Sequence, residues 1–182
     1  ADIVVGKSSA ISYRTVIVAI ADKSAGEGSG GAASDHATQI NAGTAIVEIA
    51  TEITRRRNIA VIVAIDDNKV SIHDATENAK RLELDNKLFV AGHVNDQAAH
   101  HLKNHRYDAL IINETVDGMT EDLLKSITLS GIKHLIIVSD NMSTLAKTLH
   151  QLEEMFDVNT IISLDKEPHT PRLEIIVDLK RK

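Results

Sequence analysis

The chain has 182 residues, a net charge of −6 and 43% hydrophobic residues. A chain of this length can bury a substantial apolar core, so we expect one domain over residues 1–182. Its apolar content argues against disorder, and no apolar run reaches the roughly 18 residues that cross a bilayer. The absence of cysteine excludes disulfides and thiolate chemistry.

Charge and composition also bear on location and partners. The sequence shows no basic and apolar leader, so we expect a cytoplasmic protein without membrane contact. The acidic balance and the small aromatic set, two Tyr and two Phe without Trp, make RNA a doubtful partner. The strongest basic run, Arg55–Arg57, ends a predicted helix, where positive charge is favoured by the helix dipole. Nothing in the sequence specifies an oligomeric state.

Apolar segments rich in Val and Ile recur between segments with helical periodicity. Most are continuous, which is typical of parallel strands buried on both faces. In chain order the predicted strands are Thr15–Ala21, Ile59–Ile65, Lys87–Ala91, Ala109–Ile112, His134–Val138, Thr160–Leu164 and Leu173–Leu179, with Ile3–Val5 as a short additional candidate. The predicted helices are Thr38–Arg55, Ser71–Leu82, Asp96–Asn104, Thr120–Ile127 and Ser143–Phe156.

This alternation of strands and helices predicts βαβ units with helices on both faces of a sheet. Only the C-terminal strands, Thr160–Leu164 and Leu173–Leu179, are joined by a link too short for a helix. The predicted fold is therefore α/β, a Rossmann-like doubly wound and mostly parallel sheet with an antiparallel C-terminal strand.

A glycine-rich stretch follows the first strong strand. Gly26 and Gly28 open a formal G-x-G-x-x-G pattern, whose glycines let backbone N–H groups approach a nucleotide. The stretch stands farther from the strand and the helix than a dinucleotide fingerprint does. A flexible linker over Lys23–Ser34 is the favoured interpretation, and a cofactor loop is the alternative.

Polar residues stand at the carboxyl ends of several predicted strands, where open α/β sheets bind ligands. They are Asp22, Asp66, Asn113 and Asp140. Asp66 has two equal interpretations, as an acceptor for ribose hydroxyls or as an acid that starts the next helix. His101 and His105 have metal-ligand spacing on a helix, but no third ligand is evident, so we expect solvated histidines and no metal.

A series of collinear motifs carries a family resemblance. They are Val63–Asp66, Asp74–Lys80, Leu84–Asn86, Phe89–Gly92, Tyr107–Ile112, Asp117–Met119, Ile137–Asn141, Ser143–Ala146 and Pro168–Glu174, with a weaker Gln39–Asn41 element. These motifs resemble the catalytic domain of the RNA (uracil-5-)-methyltransferase family. The resemblance implies a class I methyltransferase fold, S-adenosylmethionine as cofactor, a cofactor contact at Gln39, and Glu174 as the base that removes the C5 proton.

The departures from the family pattern concern the chemistry. Asp140 stands where the family has the cysteine that adds to C6 of uracil, and a carboxylate is a weaker nucleophile. Asn113-Glu114-Thr115-Val116 replaces the family's D-P-P-R, and His93 replaces the acid of its G-D. The family's glycine-rich loop is absent from its expected place. We therefore predict a methyltransferase-like pseudoenzyme that binds the cofactor weakly or not at all and does not methylate RNA. The alternatives are an engineered or reconstructed scaffold without ligand, or an active enzyme that uses Asp140 or Glu174 as base.

Overall fold

The computed structural model describes residues 15–20, 61–81, 83, 87–114, 117–165 and 173–182. Seven strands alternate with four helices in this part of the chain. The strands are β1 (Thr15–Ile20), β2 (Val61–Asp66), β3 (Lys87–Ala91), β4 (Ala109–Asn113), β5 (His134–Ser139), β6 (Phe156–Leu164) and β7 (Glu174–Arg181). The helices are α1 (Lys69–Arg81), α2 (Val94–Asn104), α3 (Glu121–Ser130) and α4 (Met142–Leu152).

The strands form one sheet in the order β3-β2-β1-β4-β5-β7-β6. Strands β1 to β5 are parallel to one another, and β7 is antiparallel to both β5 and β6. This confirms the predicted α/β sheet and its antiparallel C-terminal strand. The helical connections allow parallel pairing, whereas the short link after Leu164 reverses the chain.

Both faces of β2 are buried, as its continuous apolar sequence predicts. Val63 and Ile65 belong to a core cluster that includes residues of α2, α3 and α4. Ile62 and Ala64 alternate with them, so they face the opposite side; they are also buried and lie outside that cluster. Because α1 packs against β2 and β3, apolar side chains are covered on both sides of the sheet.

Helix ends follow local capping chemistry. The Asn68 side chain accepts hydrogen bonds from the N–H groups of Val70 at 2.9 Å and Ser71 at 3.3 Å, so α1 starts earlier than Ser71, the predicted first residue. Thr120 caps α3 through the Leu123 N–H. Asn141 caps α4 by accepting from two backbone N–H groups at 3.1 Å.

The predicted helix Ser143–Phe156 is wrong at its end. The helix ends at Leu152, and Phe156 is the first residue of β6, where it pairs with Arg181. Phe156 is buried on the core from this strand position. Phe156 would be buried either at the end of a helix or at the start of a strand, so the apolar pattern alone did not distinguish the two elements. The predicted helix Thr38–Arg55, the Lys23–Ser34 stretch and the Ile3–Val5 candidate lie outside the described residues.

Candidate functional site

The carboxyl ends of the central strands bring two predicted site residues into one row. Ile20, the last residue of β1, pairs with Asp66 on one side and with Asn113 on the other. Neighbouring strands lie about 4.8 Å apart, so two spacings, roughly 10 Å, separate the Cα atoms of Asp66 and Asn113. This row is the edge of the sheet at which ligands of open α/β folds bind.

Asp66 is fully buried at the end of β2. Its Oδ1 accepts a hydrogen bond from the Asn68 N–H at 2.8 Å, and Asn68 in turn caps α1. This contact supports the interpretation of Asp66 as an acid that starts the next helix. Ribose binding by the same carboxylate stays a prediction, and the hydrogen bond from Asn68 holds the carboxylate at the edge of the sheet where such binding would occur.

Asn113 ends β4 as a half-buried residue. Its side-chain Oδ1 is buried and has no hydrogen-bond partner among the described residues. A buried acceptor of this kind costs free energy unless something donates to it. Asn113 therefore offers a hydrogen-bond acceptor in the same row as Ile20 and Asp66.

Glu114 is a site residue that the sequence analysis did not single out. It directly follows β4, is 1% exposed, and accepts a hydrogen bond from the Thr148 hydroxyl on α4. The available signal was Thr148 itself, a polar residue on the apolar stripe that also carries Leu145 and Leu152. A polar side chain on a buried stripe indicates a buried polar partner.

Asp140 and Glu174 lie at the same end of the β5–β7 strand pair. The antiparallel register ends at the pair Ser139–Ile175; Asp140 follows Ser139 in the chain, and Glu174 precedes Ile175. Asp140 is exposed and Glu174 is half-buried. The structure thus places the two predicted catalytic residues at one end of this strand pair, although 34 positions separate them in the sequence.

The histidine cluster differs from the prediction of solvated rings. His101 is buried, and its Nδ1 lies 3.0 Å from the Tyr107 hydroxyl oxygen, while His100 and His105 are exposed. Burial lowers the pKa of His101, and the neighbouring His105 and His100 lower it further. Burial raises the pKa of Tyr107. His101 is thus a packed residue because α2 turns it toward Tyr107.

Four other predicted positions lie outside the described residues: Asp22, Gly26, Gly28 and Gln39. Within the described ranges, no group of three or more His, Cys, Asp or Glu side chains is arranged to hold a metal ion. Among the helices that the structure describes, none is both long and apolar enough to cross a membrane.

The strand order and the antiparallel β7 define a class I methyltransferase fold. A family model described as a methyltransferase domain matches residues 34–172. The chain therefore belongs to the methyltransferase domain family. Sequence relatives support this assignment and carry RNA methyltransferase names.

An uncharacterized RNA methyltransferase of Streptococcus pyogenes serotype M1 is 39% identical over 113 residues, 62% of this chain and 25% of that protein. One of Streptococcus pneumoniae strain R6 is 34% identical over 127 residues, 69% of this chain and 28% of that protein. The chain thus spans about a quarter of the length of these relatives.

Solved structures agree on the fold. The Pyrococcus abyssi tRNA (uracil-54, C5)-methyltransferase in complex with S-adenosyl-L-homocysteine has a TM-score of 0.60 at 19% identity, covering 91% of this chain and 34% of that one. The N-methyltransferase NodS from Bradyrhizobium japonicum, also with S-adenosyl-L-homocysteine, has a TM-score of 0.61 at 10% identity, covering 93% and 79%. At these identities the likeness concerns the fold alone.

Proposed function

We propose that this chain is an S-adenosylmethionine-binding domain of RNA methyltransferase type, related to the uracil-5 enzymes, and that it does not itself form 5-methyluridine. The observation that carries the second part is the position of Asp140. It directly follows β5, at the end of the strand pair where Glu174 begins β7, and the resemblance requires a cysteine at this position.

The residues at the carboxyl edge fit a nucleoside ligand. Asp66 is a buried carboxylate held by the Asn68 N–H, and carboxylates at the end of a second strand accept ribose hydroxyls. Asn113 adds a buried acceptor with no partner among the described residues. S-adenosylmethionine supplies an electrophilic methyl group when bound. The family match supports this cofactor, as does S-adenosyl-L-homocysteine in two structural neighbours.

The same edge lacks the groups for addition to uracil. A thiolate adds to C6 because it is intrinsically very nucleophilic, and the Asp140 carboxylate is a weaker, harder nucleophile. A negative carboxylate also repels the electron-rich intermediate that such addition creates. Glu174 remains as an acceptor for a proton, but without the adduct there is no acidic C5 proton to remove. The chain therefore retains part of the site and lacks its nucleophile.

We expect this chain alone to bind RNA weakly. Its net charge of −6 gives no general attraction to phosphates. Four aromatic residues also provide few platforms for stacking unpaired bases. The sequence relatives are named as RNA methyltransferases, which supports RNA as the substrate class. The composition of this chain supports a low affinity for RNA.

Two measurements test the proposal. Calorimetric titration with S-adenosyl-L-homocysteine is expected to give a saturable isotherm; absence of heat at any concentration tested would favour the scaffold alternative. Incubation with unmodified transfer RNA and methyl-labelled S-adenosylmethionine is expected to leave no 5-methyluridine above a no-protein control. Label in that nucleoside would refute the inactive assignment and leave the cofactor assignment intact.

A further inference from the structure

Glu114 directly follows β4 and contacts two neighbouring elements, β5 and α4. Its backbone N–H donates to the Val138 carbonyl at 2.8 Å, which continues the β4–β5 pairing one residue past the strand. Its carboxylate Oε1 accepts from the Thr148 hydroxyl on α4. Glu114 is 1% exposed, so these two contacts fix the end of β4 against β5 and against α4.

The described residues resume at Asp117, and the segment Asp117–Thr120, called the loop from here on, is fixed at Gly118. Its carbonyl accepts a hydrogen bond from the Asn95 side-chain amide of α2 at 3.1 Å. Its φ is +82°, and a Cβ there would lie 2.9 Å from Thr144 Cγ2 and 3.6 Å from Glu114 Oε1. Gly118 therefore lies directly against α4 and beside the Glu114 carboxylate, with no room for a side chain.

The loop held in this way lines a cavity at the carboxyl end of the sheet. The cavity has a volume of about 240 Å³ and is lined by His93, Asn95, Asp117, Gly118, Met119 and Thr120. Asn95 is 3% exposed, and its side-chain oxygen has no hydrogen-bond partner among the described residues. The cavity thus contains a buried acceptor, and its shape depends on where the loop lies.

We propose that Glu114, acting through Thr148, is a positioning residue that sets this loop for ligand binding at the carboxyl edge. A carboxylate is costly to bury, and an apolar side chain would fill the space without that cost. The carboxylate adds a directional hydrogen bond, which holds the end of β4 against α4. Gly118 lies against both the Glu114 carboxylate and α4. The inference rests on the proposed function for the identity of the ligand, S-adenosyl-L-homocysteine.

Thr148→Val tests the proposal because it keeps the shape of the side chain and removes the hydroxyl. Thr148→Ser restores the hydroxyl. Thr128→Val is the matched control, since among the described residues that exposed hydroxyl bonds only the Leu124 carbonyl of its own helix. Hydrogen exchange of the amides from Asp117 to Thr120 measures loop order, and calorimetry measures affinity for S-adenosyl-L-homocysteine. Thr148→Ala removes the same hydroxyl without adding a methyl group, and it serves where the valine variant does not fold.

We expect Thr148→Val to speed exchange in the loop and to leave exchange in β4 and β5 unchanged. We expect binding to weaken about tenfold, because the ligand must then also restore the loop position that the lost hydrogen bond to a charged group held. Thr148→Ser and Thr128→Val are expected to match the unaltered chain in both measurements. Unchanged loop exchange, or unchanged affinity despite faster exchange, would overturn the positioning role. Absence of binding by the unaltered chain would instead overturn the proposed function, and loop exchange would still decide whether the hydrogen bond orders the loop.

Discussion

Asp66 and Asn113 flank the same residue: each pairs with Ile20, one from either side of β1. Polar groups that end strands on both sides of a central strand enclose a crevice at the edge of a parallel sheet. The two residues stand 47 positions apart in the sequence, so their proximity is a product of strand order. Their separation of two strand spacings suits opposite sides of a nucleoside.

Asp66→Asn tests the ribose contact at this crevice. Asparagine keeps an oxygen for the Asn68 N–H, so the turn is retained while the charge is lost. We expect about tenfold weaker binding of S-adenosyl-L-homocysteine, because hydrogen bonds to charged acceptors are worth roughly 1.5–3 kcal/mol. Calorimetry measures the change. Asp67→Asn, at an exposed neighbour, serves as control, and equal affinities for the two variants would remove Asp66 from the site.

Asp140→Cys is expected to leave the chain unable to make 5-methyluridine. The substitution supplies a thiol at the end of β5 but leaves Asn113 and Val116 where the resemblance requires an acid and an arginine. The measurement is nucleoside analysis of transfer RNA after incubation with methyl-labelled S-adenosylmethionine. Label in 5-methyluridine that disappears again in the Asp140→Cys/Glu174→Gln double variant would contradict the prediction and identify the nucleophile as the only missing group.

Gly118→Ala and Gly131→Ala separate backbone strain from steric overlap. Both glycines have positive φ, +82° and +69°, but a Cβ at Gly131 meets nothing within 4 Å. We expect a loss of about 1 kcal/mol in the free energy of unfolding at Gly131, the cost of a left-handed backbone. The loss at Gly118 is expected to be about 2–4 kcal/mol, since overlap with Thr144 adds to that cost. Urea unfolding measures both, and similar losses would show that the loop yields to the added methyl group.

Arg181 joins the last strand to the end of α3. Its Nε donates to the Ile132 carbonyl at 2.6 Å and its Nη2 to the Ile127 carbonyl at 2.8 Å, and the guanidinium lies 4.7 Å from the Phe156 ring centre. Burial lowers the pKa of Arg181, but arginine stays charged at neutral pH. Arg181→Met is expected to reduce the free energy of unfolding by about 2 kcal/mol.

Lys180→Met is the control for this prediction, because Lys180 is the exposed neighbour of Arg181 on β7. Its effect is expected to be near zero in the same urea titration. Equal effects of the two substitutions would mean that the carbonyl contacts of Arg181 add nothing beyond its positive charge.

His101 makes stability depend on pH. Burial and two neighbouring histidines lower the pKa of His101 in the folded protein, whereas in the unfolded chain it is about 6.5. Below that value the unfolded chain takes up a proton that the folded protein resists. The free energy of unfolding therefore falls as the pH drops from about 6.5 toward the lowered pKa. His101→Gln is expected to reduce this fall, and His73→Gln, at an exposed position, to preserve it. Urea titrations at about pH 5 and 7.5 compare them, and an unchanged fall in the first variant would exclude His101 as its source.

The sequence by itself determined the type of sheet and the direction of its last strand. Continuous Val and Ile runs predict strands buried on both faces, and a link without room for a helix reverses the chain before β7. It also marked Asp66, Asn113, Asp140 and Glu174, since strand ends and family motifs are local features. These signals need only the order of residues along the chain.

Only the tertiary structure decided which of these residues lie at the same place in the sheet. Register puts Asp140 and Glu174 at the same end of the β5–β7 pair, and strand order puts Asp66 and Asn113 beside Ile20. It buried Glu114 against Thr148, and it made Phe156 the start of a strand instead of the end of a helix. The physical reason is that burial and hydrogen bonding depend on partners far away in the chain. An apolar pattern predicts that a side chain is buried. The packing of the sheet and helices determines which residues it is buried against.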